Sequence, residues 1–161
     1  MRQKISGGSP YEPIIGFSRA IRDGRHIFVS GTGPVGADTA DAATQASRIF
    51  DIIATALREA GAGLEHIVRT RVYLTHVEDW EEVARIHGGL FGEIRPAATI
   101  VVVAKLLNPN WRLEIEADAL LPKANVLAVD PPLEIAHKRI RETEEKALRK
   151  LRTRTSTPKA S

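Results

Sequence analysis

Three carboxylates recur at every second position in the stretch that follows Arg112: Glu114, Glu116 and Asp118 alternate with Leu113, Ile115, Ala117 and Ala119. A period of two is that of a β-strand whose side chains point to opposite faces, so the acids share one face and the apolar residues the other. A row of acids is costly to bury and must meet water, a cation or a ligand. Glu114 and Glu116 look into one cleft, where a carboxylate could orient a water or accept a proton from a substrate amine or imine. An ion-pair ladder with Arg69, Arg71 or Arg112 would use the same residues structurally, and spacing alone leaves both readings open.

Other constellations are weaker. Gly31-Thr32-Gly33-Pro34-Val35-Gly36 fits G-x-G-x-x-G after a strand. However, Pro34 removes an amide, no helix opens at the third glycine, and the preceding strand belongs to a hairpin. A Gly-rich strand exit is the simpler reading. His26, His66, His76, His87 and His137 lack H-x-H or H-E-x-x-H spacing, so no metal is expected. The absence of cysteine excludes disulfides and thiolate nucleophiles. No G-x-S-x-G turn makes Ser30 a hydrolase nucleophile.

The elements that must position these residues follow from periodicity. Residues 14–22 and 25–30 flank Asp23-Gly24, a two-residue hairpin signal. Residues 41–60 place Ala46, Ile49, Phe50, Ile53, Leu57 and Ala60 on one helical stripe, stopped by Gly61 and Gly63. Residues 67–74 alternate as a strand, with Val68, Val72 and Leu74 on one face and Arg69, Arg71 and Tyr73 on the other. Asp79-Trp80-Glu81-Glu82 has capping-box spacing and opens a second helix with Trp80, Val83, Ile86, Leu90 and Phe91 inward. Residues 100–104 have no polar break and read as a strand covered on both faces. Asn108-Pro109-Asn110 then predicts a hairpin with residues 113–121.

The order ββαβαββ gives an α+β fold, a two-layer domain whose mixed sheet is covered on one face by two helices. The uncovered face mixes Arg69, Arg71, Glu114 and Glu116 with apolar residues, and a homo-oligomer that lines its centre with sheets is the economical solution. Residues 1–9 are expected to be a flexible N-terminus, 10–122 the folded domain, and 123–161 a C-terminal extension, helical over about 133–152 with a disordered end. The whole-chain charge of +3 divides unevenly: residues 133–161 hold nine Lys/Arg against four Glu, +5, which leaves residues 1–132 at −2. RNA or an acidic partner could be recruited by that basic tail, although its glutamates dilute the charge and it has no aromatic residue to stack on bases, so a solvated extension is preferred. No apolar run reaches the roughly 18 residues of a membrane span, and the first residues lack the core of a secretory signal, so a cytoplasmic protein without membrane contact is expected.

Taken together, Gly16-Phe17-Ser18-Arg19-Ala20, Phe28-Val29-Ser30-Gly31-Thr32, Gln45, Ala60-Gly61-Ala62-Gly63-Leu64 and Val68–Leu74 carry a further signal, completed by Phe91, Arg95-Pro96-Ala97-Ala98-Thr99 and Leu113-Glu114-Ile115-Glu116-Ala117. This set resembles the Rid family (reactive intermediate deaminase, also called YjgF-like or L-PSP endoribonuclease-like). The resemblance runs in order from about residue 10 to 122. It implies a chorismate-mutase-like subunit, a homotrimer with ligand clefts at the subunit interfaces, and a deaminase-type hydrolase that turns enamines or imines such as 2-aminoacrylate into keto acid and ammonia without a cofactor. By the same resemblance Glu114 is the catalytic group, and Phe17, Ser30, Thr32, Ala98 and Thr99 bind the small-molecule substrate.

The sequence departs from the family where the ligand is held. The signature Pro-Ala-Arg, whose arginine grips the substrate carboxylate, becomes Pro96-Ala97-Ala98. A common tyrosine becomes Phe17, and the usual Ser-Gly-Gln becomes Ser30-Gly31-Thr32. Loss of an arginine–carboxylate contact removes about 1.5–3 kcal/mol, which argues against the usual deamination of 2-imino acids. A non-catalytic oligomeric binding or regulatory protein, its tail recruiting RNA or a protein, is the alternative. Ribonuclease activity, implied only by the older family name, has no acid–base pair of histidines to perform it.

Overall fold

The computed structural model describes residues 2–123. Expectations for the tail fall on residues 124–161 and lie outside the described residues. Six strands form one mixed sheet: β1 (Arg2–Ile5), β2 (Ala20–Asp23), β3 (His26–Thr32), β4 (Ile67–Leu74), β5 (Ala97–Val102) and β6 (Leu113–Leu120), in the order β1-β2-β3-β6-β4-β5. Helices α1 (Ala42–Glu59) and α2 (Trp80–Phe91) pack on one face.

The helix over residues 41–60 forms with little change. Asp41 is its N-cap, the carboxylate accepting from the Thr44 N–H at 2.7 Å. Ala46, Ile49, Phe50, Ile53 and Leu57 are buried against Ile27, Val29, Val72, Leu74, Leu113, Ile115, Ala117 and Ala119 of the sheet. Each larger aliphatic side chain removed from water contributes about 1.5–3 kcal/mol, and this layer is the principal source of stability. At its C-terminus, Arg22 donates to the Ala60 carbonyl at 2.7 Å, so a cation from the sheet meets the negative end of the helix.

Several sequence expectations are corrected. The first strand does not span residues 14–22: residues Glu12–Gly16 form a π-helical turn with Pro13 in its first turn, and Gly16, at φ 83°, ends it before β2. The β2–β3 hairpin does form, with Gly24 and Arg25 as its loop between the paired Asp23 and His26. Residues 2–5, within the N-terminus expected to be flexible, pair with β2 as an edge strand and bury Ile5. In β4 the register slips between Ile67 and Arg69, so Ile67 takes the inward place and Val68 is exposed. Asp79 makes no capping bond; its carboxylate takes the Arg112 guanidinium in two bonds of 2.7 Å, a charged donor that a backbone amide does not match. Trp80, expected inside, is 51% exposed.

The largest correction concerns the expected hairpin of the last two strands. β5 pairs in parallel with β4, and β6 inserts antiparallel between β3 and β4. The acids of β6 explain the insertion, since Glu116 lies opposite Arg71 and Asp118 opposite Arg69, pairings that β5 has no charge to offer. β5 becomes the sheet edge, and in the single chain both its faces are open, with Val101 and Val102 exposed.

The loop that leaves β3 and the loop that enters β6 lie at the same end of this antiparallel pair and are tied through Gln45, which is fully buried. Its Nε2 donates to the carbonyls of Asp38 (3.0 Å), Ala40 (3.0 Å) and Asn110 (3.1 Å), and its Oε1 accepts the Arg112 N–H at 2.7 Å. Asp38 in turn receives the Trp111 indole N–H at 2.8 Å. This fixes the point at which β6 enters the sheet, two residues before Glu114.

His87 of α2 lies in the layer between helices and sheet, against the rings of Phe50 and Phe91 and 2.9 Å from Thr70 Oγ1. Burial pushes its pKa below the ordinary histidine value. The unfolded chain therefore takes up this proton first, and stability should fall as pH drops through about 6.5. Urea midpoints measured at fixed protein concentration should decrease from neutral pH to mildly acidic pH, and His87→Phe should flatten that slope. An unaltered slope in the variant would place the loss elsewhere.

Candidate functional site

The uncovered sheet face carries Arg69, Arg71, Tyr73, Glu114, Glu116 and Asp118. Four of them form the ladder that spacing alone left open. Arg71 meets Glu116 at 3.2 Å and Asp118 at 3.3 Å, and Arg69 approaches Asp118 at 3.9 Å. Tyr73 adds its hydroxyl to Glu116 at 2.8 Å, which raises the phenol pKa. Glu116 and Asp118 are thus occupied.

Glu114 stands outside the ladder. It makes no hydrogen bond or ion pair among the described residues, although it is partly buried between Tyr73 of β4 and the end of β3. Its carboxylate lies over Gly31, where a Cβ would collide with Glu114 Oε1. Burial raises its pKa, the nearby Arg19 charge opposes that rise, and Glu116 adds to it. A carboxyl group held partly out of water, with open lone pairs and raised proton affinity, suits proton transfer to a bound molecule.

Local irregularity of β3 creates this arrangement. The β3–β6 register shifts between Val29 and Thr32, which puts a bulge at Ser30-Gly31 beside Glu114. Arg19 fills the gap: its Nη1 donates to Gly31 O (2.8 Å), Thr32 Oγ1 (2.8 Å) and, at 3.4 Å, Ser30 O. The Phe17 ring lies 5.9 Å from the guanidinium carbon. Desolvation lowers the Arg19 pKa, yet the group stays charged at neutral pH.

The residues singled out from sequence divide into two groups. Phe17, Ser30, Thr32 and Glu114 gather around the bulge. Ser30 Oγ donates to Ser18 O at 2.8 Å, and Thr32 is buried with its hydroxyl donating to Ser30 O at 2.7 Å, so both brace the wall. Ala98 and Thr99 lie on β5, two strands from β6, a separation of about 10 Å. One chain does not bring them to Glu114. Arg95, which precedes them, has φ 51° and turns its Nε back to the Gly92 carbonyl at 3.1 Å. Gly31-Thr32-Gly33 is a strand exit closed by the Trp111 ring over Gly33, which leaves no space for a Cβ. Arg19 and Gly31 received no role from sequence reasoning; an arginine flanking a strand next to a Ser-Gly step is the signal that marks them.

Two substitutions test this geometry. Gly31→Ala meets only the free end of a flexible side chain, so stability should change by less than about 1 kcal/mol, while the Glu114 carboxyl is displaced and its NMR titration moves toward the ordinary glutamate range. Glu114→Gln should raise the melting temperature at neutral pH. The cost of ionised Glu114 is absent below the ordinary glutamate pKa, grows as pH rises from there to the folded-state pKa, and is fully present above it. The gain should therefore vanish in acid. A gain that persists below the glutamate range would contradict the raised pKa.

Comparison with known proteins agrees with this architecture. The sequence model described as Endoribonuclease L-PSP matches residues 8–121. The Streptomyces coelicolor protein SCO2049 is 33% identical over 121 residues, covering 73% of this chain and 90% of the relative. A RutC family protein of Pyrococcus abyssi is 35% identical over 113 residues, 67% of this chain and 88% of its own length. Among solved structures, Rv2704 of Mycobacterium tuberculosis, a YjgF/YER057c/UK114 family member, superposes with a TM-score of 0.71 at 41% identity, over 75% of this chain and all of that one. The Escherichia coli YjgF gene product gives 0.64 at 29% identity, over 73% of this chain and 98% of its own. With the family model spanning strands β2 to β6 and both helices, the chain belongs to the Endoribonuclease L-PSP family, the Rid or YjgF-like proteins.

Proposed function

We propose that this chain is a Rid-like protein that assembles as a homotrimer and binds a small metabolite in clefts at the subunit seams. Phe17, Ser30, Thr32 and Glu114 build one wall, and Ala98 and Thr99 of an adjoining copy face it. The observation that carries this reading is Glu114 itself: it is the acid of β6 left out of the ladder, partly buried, unpartnered among the described residues and floored by a glycine. The bare apolar edge at β5 supports assembly, since a strand exposed on both faces needs a partner.

Within the cleft, Glu114 is the group that would orient water or move a proton during hydrolysis of an imine or enamine. The usual deamination of 2-imino acids is disfavoured because Ala98 supplies no donor. Full-length protein incubated with freshly generated 2-aminoacrylate should release ammonia roughly ten- to several-hundred-fold more slowly than members carrying Pro-Ala-Arg. Equal rates would show that position 98 is no handicap. Sedimentation velocity at micromolar concentration should give three subunits; a lone subunit would remove the seam cleft altogether.

A further inference from the structure

Charge pairing around the cleft leaves Glu114 unmatched. In the ladder two guanidinium groups, Arg69 and Arg71, answer two acids, Glu116 and Asp118. Arg19 is turned to the N-terminal loop: a Cβ on Gly7 would lie 3.2 Å from its Nε, and the strongest charge acting on it is Glu12, which accepts the Gly7 N–H and the Ser6 hydroxyl. Its Nη1 is spent on the bulge. Arg19 makes no ion pair with Glu114, and no other cation among the described residues does. The Glu114 oxygens are nevertheless within reach, because every sealed side-chain nitrogen and oxygen among the described residues has a partner.

The polar side chains around Glu114 have no proton to offer it. Tyr73 stands directly opposite Glu114 in the β4–β6 register and on the same face, where facing Cβ atoms are about 4.5–5.5 Å apart. A phenol has one proton, and Tyr73 donates it to Glu116 at 2.8 Å, so its Oη keeps only lone pairs. Ser30 has given its proton to Ser18 O and Thr32 has given its own to Ser30 O. Phe17 has no hydroxyl. Glu114 and Tyr73 are therefore two acceptors side by side, one of them an anion partly withdrawn from water. A bound group that brought N–H donors and positive charge would satisfy both and recover the cost of that withdrawal.

Resting on the reading of the Glu114 cleft as the ligand site, we propose that the cleft selects a small planar N–H cation of the amidinium or guanidinium class, its two parallel N–H bonds laid across the Glu114 carboxylate and a further N–H directed at Tyr73 Oη. Two such bonds match the two oxygens of a carboxylate, as an arginine side chain does. Glu114 supplies the charge and Tyr73 the specificity for a second donor. Neither Ala98 nor Thr99 brings a charge that would compete with the cation.

Acetamidinium, the neutral acetamide and the anion acetate, of nearly one shape, titrated separately at millimolar concentration into the full-length protein, test this by NMR. Acetamidinium should shift the Glu114 carboxyl and Tyr73 ring signals, and bind at least about tenfold more tightly than acetamide. Acetate should leave both signals in place. Glu114→Gln, which keeps the shape and removes the charge, should weaken acetamidinium by about tenfold or more, and Tyr73→Phe by roughly two- to tenfold. Equal affinity for acetamidinium and acetamide, or tighter binding of acetate at Glu114, overturns the cation and leaves the cleft standing. Unchanged affinity in Tyr73→Phe overturns the second acceptor. Acetamidinium shifts centred on Glu116 and Asp118, or on residues remote from Glu114, overturn the cleft as well. No shift with acetamidinium overturns the proposal.

Discussion

The alternation of β6 is the constraint from which the molecule follows. Its odd-numbered residues, Leu113 through Ala119, are buried, and every even-numbered one through Asp118 is polar and part-exposed on the other face. A slip of one residue would put three carboxylates into the helix layer and four apolar side chains into solvent, so the register has no near competitor. Because β6 lies between β3 and β4, its register sets theirs, and its polar face gathers Arg69, Arg71 and Tyr73 on one side and the β3 bulge on the other. Glu114 is the acid nearest the strand's entry, beyond the reach of the arginine ladder and beside a residue without a side chain. Its isolation is a product of register and of one glycine.

Much of the fold was legible because single residues carried strong local signals. α1 begins where the helical pattern was expected to start, and the 3.6-residue stripe from Ala46 to Leu57 became the core. β4 spans the residues its alternation marked. What misled was any pattern whose meaning depends on a distant partner. The run 100–104 reads as a strand covered on both faces, yet its cover is absent from the single chain. The Asn108-Pro109-Asn110 turn reads as a hairpin loop, yet it belongs to a crossover, because cross-strand charge pairing places β6 next to β4. Asp79 has the spacing of a cap, and the guanidinium that claims it comes from Arg112, 33 residues onward.

The site divides along the same line. Alternation gave Glu114 and Glu116 equal standing and only the family resemblance pointed to Glu114; the structure separates the two, with Glu116 in the ladder and Glu114 outside it. Ser30 and Thr32 stand at the β3 bulge, where their hydroxyls brace it through Ser18 and Arg19. Arg19 drew no attention in the sequence because its place rests on a register shift, and no local propensity encodes a bulge eleven to twelve residues away. Family membership and fold are carried by strands β2 to β6 and both helices, whereas Phe17, Thr32 and Ala98 belong only to the walls of the proposed cleft.

The edge strand β5 has a consequence for the life of the polypeptide before it reaches its final form. Ala97-Ala98-Thr99-Ile100-Val101-Val102 contains no charge, no proline and no bulge, the devices by which open edges repel foreign strands. It also joins the sheet through a parallel pairing across a helix, a late event in a folding chain. A newly made chain therefore passes through an interval in which this uncharged hexapeptide is open to pairing with strands of other copies before it docks on β4.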